Sequence, residues 1–135
     1  QAGTSIGYGL TYRTTHPIEL AVVPVGYYDG YDRSLGNRAH VLVGGVRAPV
    51  RGRVCMNMIM VDVTDSPGSE PGDEVVLLGR QGSEEIPAEM LGSWTGTINY
   101  EVTTRIRESL PRVACASQGE PTETCPSCRK ERDIP

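Results

Sequence analysis

Three short segments hold side chains able to do chemistry, and glycine marks each of them. Tyr8 stands between Gly7 and Gly9. Tyr27 lies in Gly26-Tyr27-Tyr28-Asp29-Gly30, with Arg33 close behind. A second arginine lies in Gly52-Arg53-Val54-Cys55-Met56-Asn57. A phenol can give or take a proton, and guanidinium groups attract carboxylates. Glycines on either side of Tyr8 let another backbone or a ligand come close. The competing reading is a strand tyrosine with its ring in the core and its hydroxyl satisfied. A free phenol has a pKa of about 10, poorly matched to proton abstraction near neutrality. Tyr8 as a base needs a cation or hydrogen bonds that favour the phenolate, and no such partner adjoins it in sequence.

A fourth segment is Thr97-Ile98-Asn99-Tyr100-Glu101. The pattern predicts a helix start here, capped by Thr97 or Asn99, where free N–H groups and the positive dipole end favour an anion. Tyr100 either serves that anion or packs beneath a surface helix. Asp29-Gly30 reads as turn chemistry. Val54, Met56, Met58 and Met60 alternate as one strand face, most simply core, and Cys55 reads as a small buried hydrophobe. His16 and His40 have no partner pattern for a metal site or a triad and read as loop and strand-edge residues. No nucleotide-type glycine loop or serine-nucleophile motif is present.

Short strands separated by turn signals position these segments, which argues for an all-β barrel or sandwich. Thr4 to Tyr12 alternates with Ile6, Tyr8, Leu10 and Tyr12 on one face. Glu19 to Val25 is a more continuously apolar strand. His40–Val43 and Val46–Val50 flank Gly44-Gly45, a hairpin signature. Val54 to Val63 is strongly apolar and ends at Asp65-Ser66-Pro67-Gly68. Pro71-Gly72-Asp73 turns into Glu74–Leu78, and Arg80-Gln81-Gly82 turns again. Two short helices follow: one from Pro87 through Leu91 with proline at its first position, the other from Thr97 or Asn99 to Leu110-Pro111. In the second, Glu101 early and Arg105 and Arg107 late suit the dipole, and Val102 lies above Ile106.

The 135 residues suit one domain. A net charge of −4 without a basic stripe gives no reason to expect nucleic acid. No run approaches the ~20 apolar residues of a membrane span. The N-terminus lacks the pattern of a secretory signal, and a start at Gln1 fits a piece of a longer protein. After Val113 the composition turns polar and charged, so 115–135 reads as a flexible tail. Cys125-Pro-Ser-Cys128 with Cys115 has the spacing of part of a zinc clip, but no fourth ligand is evident and no metal site is assigned. A reduced, cytoplasmic protein is the default expectation.

Taken in order, the four motifs resemble the C-terminal domain of bacterial alanine racemases, over about residues 4 to 114. The resemblance implies a mostly β, barrel-like domain with two short helices, one domain over 1–114. It implies an isomerase interconverting L- and D-alanine, which supplies D-alanine for cell-wall peptidoglycan. The cofactor is pyridoxal 5'-phosphate, bound covalently by a lysine of an N-terminal barrel domain that is absent here. The active site forms in a homodimer, this domain leaning over the partner's barrel. By that resemblance Tyr8 is one of two catalytic bases, Met56 contacts the substrate carboxylate through its backbone amide, and Tyr27 lines the substrate passage. Arg33, Arg53 and Asn57 belong to its entrance, and Tyr100 hydrogen-bonds the cofactor phosphate. Asn57 and Met58 depart from the family's commoner aspartate and glutamine, which alters the charge balance beside Arg33 and Arg53. The domain alone is expected to be inactive. Two other readings stand beside this: a non-catalytic β module for protein contacts, and a racemase for serine or other amino acids.

Overall fold

The computed structural model describes residues 1–113; the expectations for Cys115, Cys125, Cys128 and the tail lie outside them. Strands β1 (Ser5–Ile6) and β2 (Tyr12–Arg13) form a small hairpin. The main sheet uses β3 (Leu20–Val23), β4 (His40–Val43), β5 (Val46–Arg51), β6 (Ile59–Asp62) and β7 (Val75–Val76). Their order is β3-β6-β5-β4-β7, every pair antiparallel. This curled half-barrel keeps two edges, β3 and β7, and bears out the mostly β expectation. A second hairpin, β8 (Gly79–Gln81) with β9 (Glu84–Ile86), leads into helices α1 (Ala88–Thr95) and α2 (Asn99–Thr104).

The β4–β5 hairpin forms as its turn chemistry predicts. Gly44 and Gly45 take φ of +60° and +77°, and Val43 pairs with Val46 across them. Val41, Leu42, Val50, Ile59, Val61 and Ile86 are wholly buried, with Leu91 of α1 packed against them. Val41, Leu42 and Val43 are buried in succession, so β4 is covered on both faces.

Several predicted elements are cut short. Thr4–Tyr12 is not one strand: Gly7, Gly9 and Leu10 take φ of +77°, +74° and +50°, and Leu10 N–H bonds Gly7 C=O at 3.1 Å. The segment folds back through a 3-10 turn at Tyr8–Leu10, so only Ile6 of the expected face is buried. Val54–Val63 is likewise strand only from Ile59. Gly52, at φ +77°, turns the chain out of β5, and Cys55 N–H bonds Met58 C=O at 3.0 Å. Met56 and Met58 therefore face solvent instead of the core, and Cys55 is half-exposed, its thiol directed at the Arg53 carbonyl.

The strand expected over Glu19–Val25 shrinks to β3, a sheet edge with Val22 exposed. Glu74–Leu78 contributes only the two residues of β7, and Arg80 and Gln81 are strand, the turn falling at Gly82-Ser83. Pro87 caps α1 from outside, and the helix runs on past Leu91 to Thr95, where Gly96 ends it at φ +73°. The cap of α2 is Ile98, and the helix stops well before Leu110. Its continuation is drawn off by two bonds: Arg107 N–H to Asp29 C=O at 3.1 Å, and Arg105 to Asp32 at 2.6 Å. His16 is an exposed loop residue, and His40 opens β4 edge-on to Trp94.

Candidate active site

Backbone contact, not side-chain packing, assembles three of the four motifs. Gly52 lies beneath Gly7: a Cβ on Gly7 would stand 3.3 Å from Gly52 Cα and 3.2 Å from Arg53 N. On its other side the same segment meets the Tyr27 turn. Tyr27 and Tyr28 donate their N–H groups to the carbonyls of Cys55 and Met56, each at 3.0 Å. A Cβ on Gly26 would fall 2.2 Å from the Cys55 oxygen and 2.3 Å from that of Met56, distances no real side chain accepts. The Gly52–Asn57 segment is therefore the hub between the Tyr8 turn and the Tyr27 turn.

With the backbones pressed together, the side chains point outward. Tyr8 is 77% exposed and Met56 51%, and Tyr27 is also exposed. No acceptor among the described residues engages the Met56 N–H, although its carbonyl is taken. The Arg53 guanidinium lies against Gly9, 3.3 Å from where a Cβ would stand. Asp29 behaves as a turn residue, its Oδ2 accepting from Gly26 N–H at 2.9 Å.

The three residues expected at an entrance have few partners among the described residues. Arg33 begins a 3-10 turn capped by Asp32, whose Oδ1 accepts from Ser34 N–H at 2.8 Å. Arg33, Arg53 and Asn57 are exposed and make no ion pair among the described residues. Asp32 pairs with Arg105 instead. Burial pushes the Asp32 carboxyl up, but hydrogen bonds from Ser34 and the charge of Arg105 outweigh it and hold it below its ordinary value.

Tyr100 stands apart. It is 73% exposed on α2, and no described contact joins it to Tyr8, Tyr27 or Met56. The helix start gives less to an anion than expected, because three of its N–H donors are occupied. Tyr100 N–H bonds Asn99 Oδ1 at 3.0 Å, and Glu101 and Val102 N–H both bond the Ile98 carbonyl. The Tyr100 phenol is open to an anion there.

Two features escape a reading of the sequence. Arg107 lies over the Tyr28 ring, 3.7 Å from its centroid, and so steadies the Tyr27 turn from the α2 side. Asn37 has φ +58° and hydrogen-bonds both Thr11 and Gly52. An asparagine following glycine in a turn was its only signal. Among the described residues no cluster of metal ligands occurs, and no helix is long and apolar enough to cross a membrane.

Residues 1–114 match the family described as alanine racemase, C-terminal domain. The chain is 52% identical over 112 residues to the alanine racemase of Leptospira interrogans, covering 83% of this chain and 29% of that protein. Among solved structures it resembles the alanine racemase of Bacillus anthracis with bound L-Ala-P. There the TM-score is 0.72 and the identity 43%, covering 78% of this chain and 27% of that one. It also resembles that of Bartonella henselae with covalently bound pyridoxal phosphate, with TM-score 0.76 and 34% identity, covering 83% and 30%. The chain thus spans less than a third of the length of these relatives. It belongs to the alanine racemase C-terminal domain family.

Proposed function

We propose that this chain is the part of a pyridoxal-phosphate-dependent alanine racemase that supplies Tyr8 as one of two bases acting on alanine. The observation that carries this reading is a phenol held outward on a turn that abuts Gly52 and Arg53, the start of the segment whose Met56 N–H has no acceptor among the described residues. Inverting the α-carbon requires taking a proton from one face and returning one to the other. One rigidly held base cannot serve both faces. Tyr8 serves one, and a lysine of the N-terminal barrel domain serves the other.

Met56 N–H binds the substrate carboxylate, a contact that needs no particular side chain. Tyr27 narrows the passage, and Arg33, Arg53 and Asn57 make a polar entrance suited to a small zwitterion. The residues present fit the cofactor in part. The exposed Tyr100 hydroxyl suits a phosphate oxygen, whereas residues 1–113 contain no lysine to anchor it. When bound, pyridoxal phosphate supplies the electron sink that acidifies the α-proton. The covalent anchor and the second base lie in the barrel domain, and the site is completed across a cytoplasmic homodimer.

Tyr8→Phe in the complete enzyme tests the assignment. Removing a positioned acid–base group costs about 100-fold or more, so formation of D-alanine from L-alanine falls at least that far. The domain by itself is the control and makes no D-alanine. Unchanged turnover in Tyr8→Phe, or activity from the domain alone, removes this reading.

A further inference from the structure

We infer that Asn37 is a positioning residue for Tyr8: its side-chain amide sets the spacing between the Tyr8 turn and the Met56 loop. The inference rests on the reading of Tyr8 as a base, but the bonds that carry it involve other residues. Asn37 has φ +58°, a left-handed conformation that asparagine tolerates better than most residues. From there its Oδ1 accepts from Gly52 N–H at 2.6 Å. Its Nδ2 donates to the Thr11 carbonyl and the Thr11 Oγ1, both at 3.3 Å. The partners fix the orientation of the amide, since Gly52 offers a donor and the Thr11 carbonyl an acceptor.

Thr11 directly follows the Tyr8–Leu10 turn, and Gly52 opens the segment that leads to Met56. Among the described residues, these are the only hydrogen bonds joining residues 1–14 to the rest of the chain. The other contacts that hold the hairpin are buried Ile6, the Gly7–Gly52 approach, the Arg53 guanidinium against Gly9, and Arg51 over the Tyr12 ring at 4.5 Å. Burial of Ile6 is non-directional, so it seats the hairpin without aiming it. The asparagine bridge adds directed bonds between the Tyr8 turn and the Gly52 segment. Glycine at 37 would keep the backbone and bridge nothing. Aspartate would keep the Gly52 bond but turn a carboxylate toward the Thr11 carbonyl. Because a misplacement of about 1 Å can cost about 100-fold, a looser hairpin slows proton transfer at Tyr8 without removing any reacting group.

The test is α-proton exchange of L- and D-alanine in D2O, followed separately by proton NMR with the complete enzyme. Tyr8→Phe identifies the enantiomer whose proton faces Tyr8, as the one whose exchange collapses. Asn37→Gly is expected to slow that enantiomer about 10- to 100-fold and leave the other within about 2-fold. A general loss of structure would slow both alike. Hydrogen exchange at the Gly52 amide gives a second readout, faster in Asn37→Gly and still protected in Asn37→Asp. If Asn37→Gly slows both enantiomers equally or neither, or leaves Gly52 protected, the role of Asn37 is overturned while Tyr8 stands. If Tyr8→Phe spares both enantiomers, the base assignment fails and takes the positioning role with it.

Discussion

In the half-barrel sheet, side chains do the holding: Val41, Leu42, Ile59 and Val61 are wholly buried in one apolar cluster. In the rim that carries Tyr8, Tyr27 and Met56, the backbone does the holding and the side chains are left free. A truncation in the sheet leaves a cavity, whose cost is graded by the volume lost. An addition of one methyl in the rim meets a carbonyl oxygen. The two regions therefore fail in opposite directions, the first by removal and the second by growth.

Gly26→Ala is the most severe way to test that contrast. The new Cβ would sit 2.2 Å from the Cys55 oxygen, and a backbone atom cannot yield as the end of a flexible side chain can. Separating the turns breaks the Tyr27 and Tyr28 hydrogen bonds as well, for an expected loss of about 3 kcal/mol of stability. Racemase activity in the complete enzyme should vanish with it. Urea unfolding of the variant gives the number; a change under about 0.5 kcal/mol, typical of a surface substitution, would show that the junction is not backbone-locked.

How much of this was legible in the sequence follows the same division. Gly44-Gly45 announces its turn because the required φ angles are local. The Val54, Met56, Met58, Met60 alternation misleads, because apolar spacing cannot reveal that Cys55 and Met56 have given their carbonyls to Tyr27 and Tyr28. Residues nearly thirty positions apart in the chain decide that. Tyr8 was visible through its flanking glycines, though these make a reversal where an extended strand was expected. The contribution of Asn37 depends on two distant partners, Thr11 and Gly52, and no local pattern encodes it.

Between the two regions stands Arg51, which stacks on Tyr12 of the Tyr8 hairpin and pairs with Asp62 of β6 at 3.0 Å. Burial pushes the Asp62 carboxyl up, but hydrogen bonds from Thr64 and Arg51, with the charge of Arg51, outweigh it and hold its pKa below the ordinary value. A carboxyl depressed in the folded state stabilises the fold fully above its unfolded pKa of about 3.9. That contribution is lost as pH falls from there through the folded value. Asp62→Asn should cost about 2 kcal/mol at neutral pH, and the deficit should shrink as the wild type is acidified below about pH 4. Melts at pH 7 and pH 3 measure it. A deficit that is the same at both pH values would mean that the charge plays no part in holding sheet to hairpin.

The smallest expected effect is the only one with a favourable sign. Tyr31 is 6% exposed and lines a cavity of about 420 Å³ with Leu35, Val76, Leu91 and Val102, and its hydroxyl has no partner among the described residues. Burial pushes its phenol well above the ordinary range, so it stays neutral and acts only as an unpaired dipole. An unmet buried hydroxyl costs about 1–3 kcal/mol, whereas removing one oxygen leaves little new void. Tyr31→Phe should therefore raise stability by about 1 kcal/mol and leave turnover alone, since Tyr31 lies in the core and not on the rim. Unfolding by urea settles the sign. A destabilised variant would place a hydrogen-bond partner at that hydroxyl, and the cavity wall would then be held by a polar contact as well as by packing.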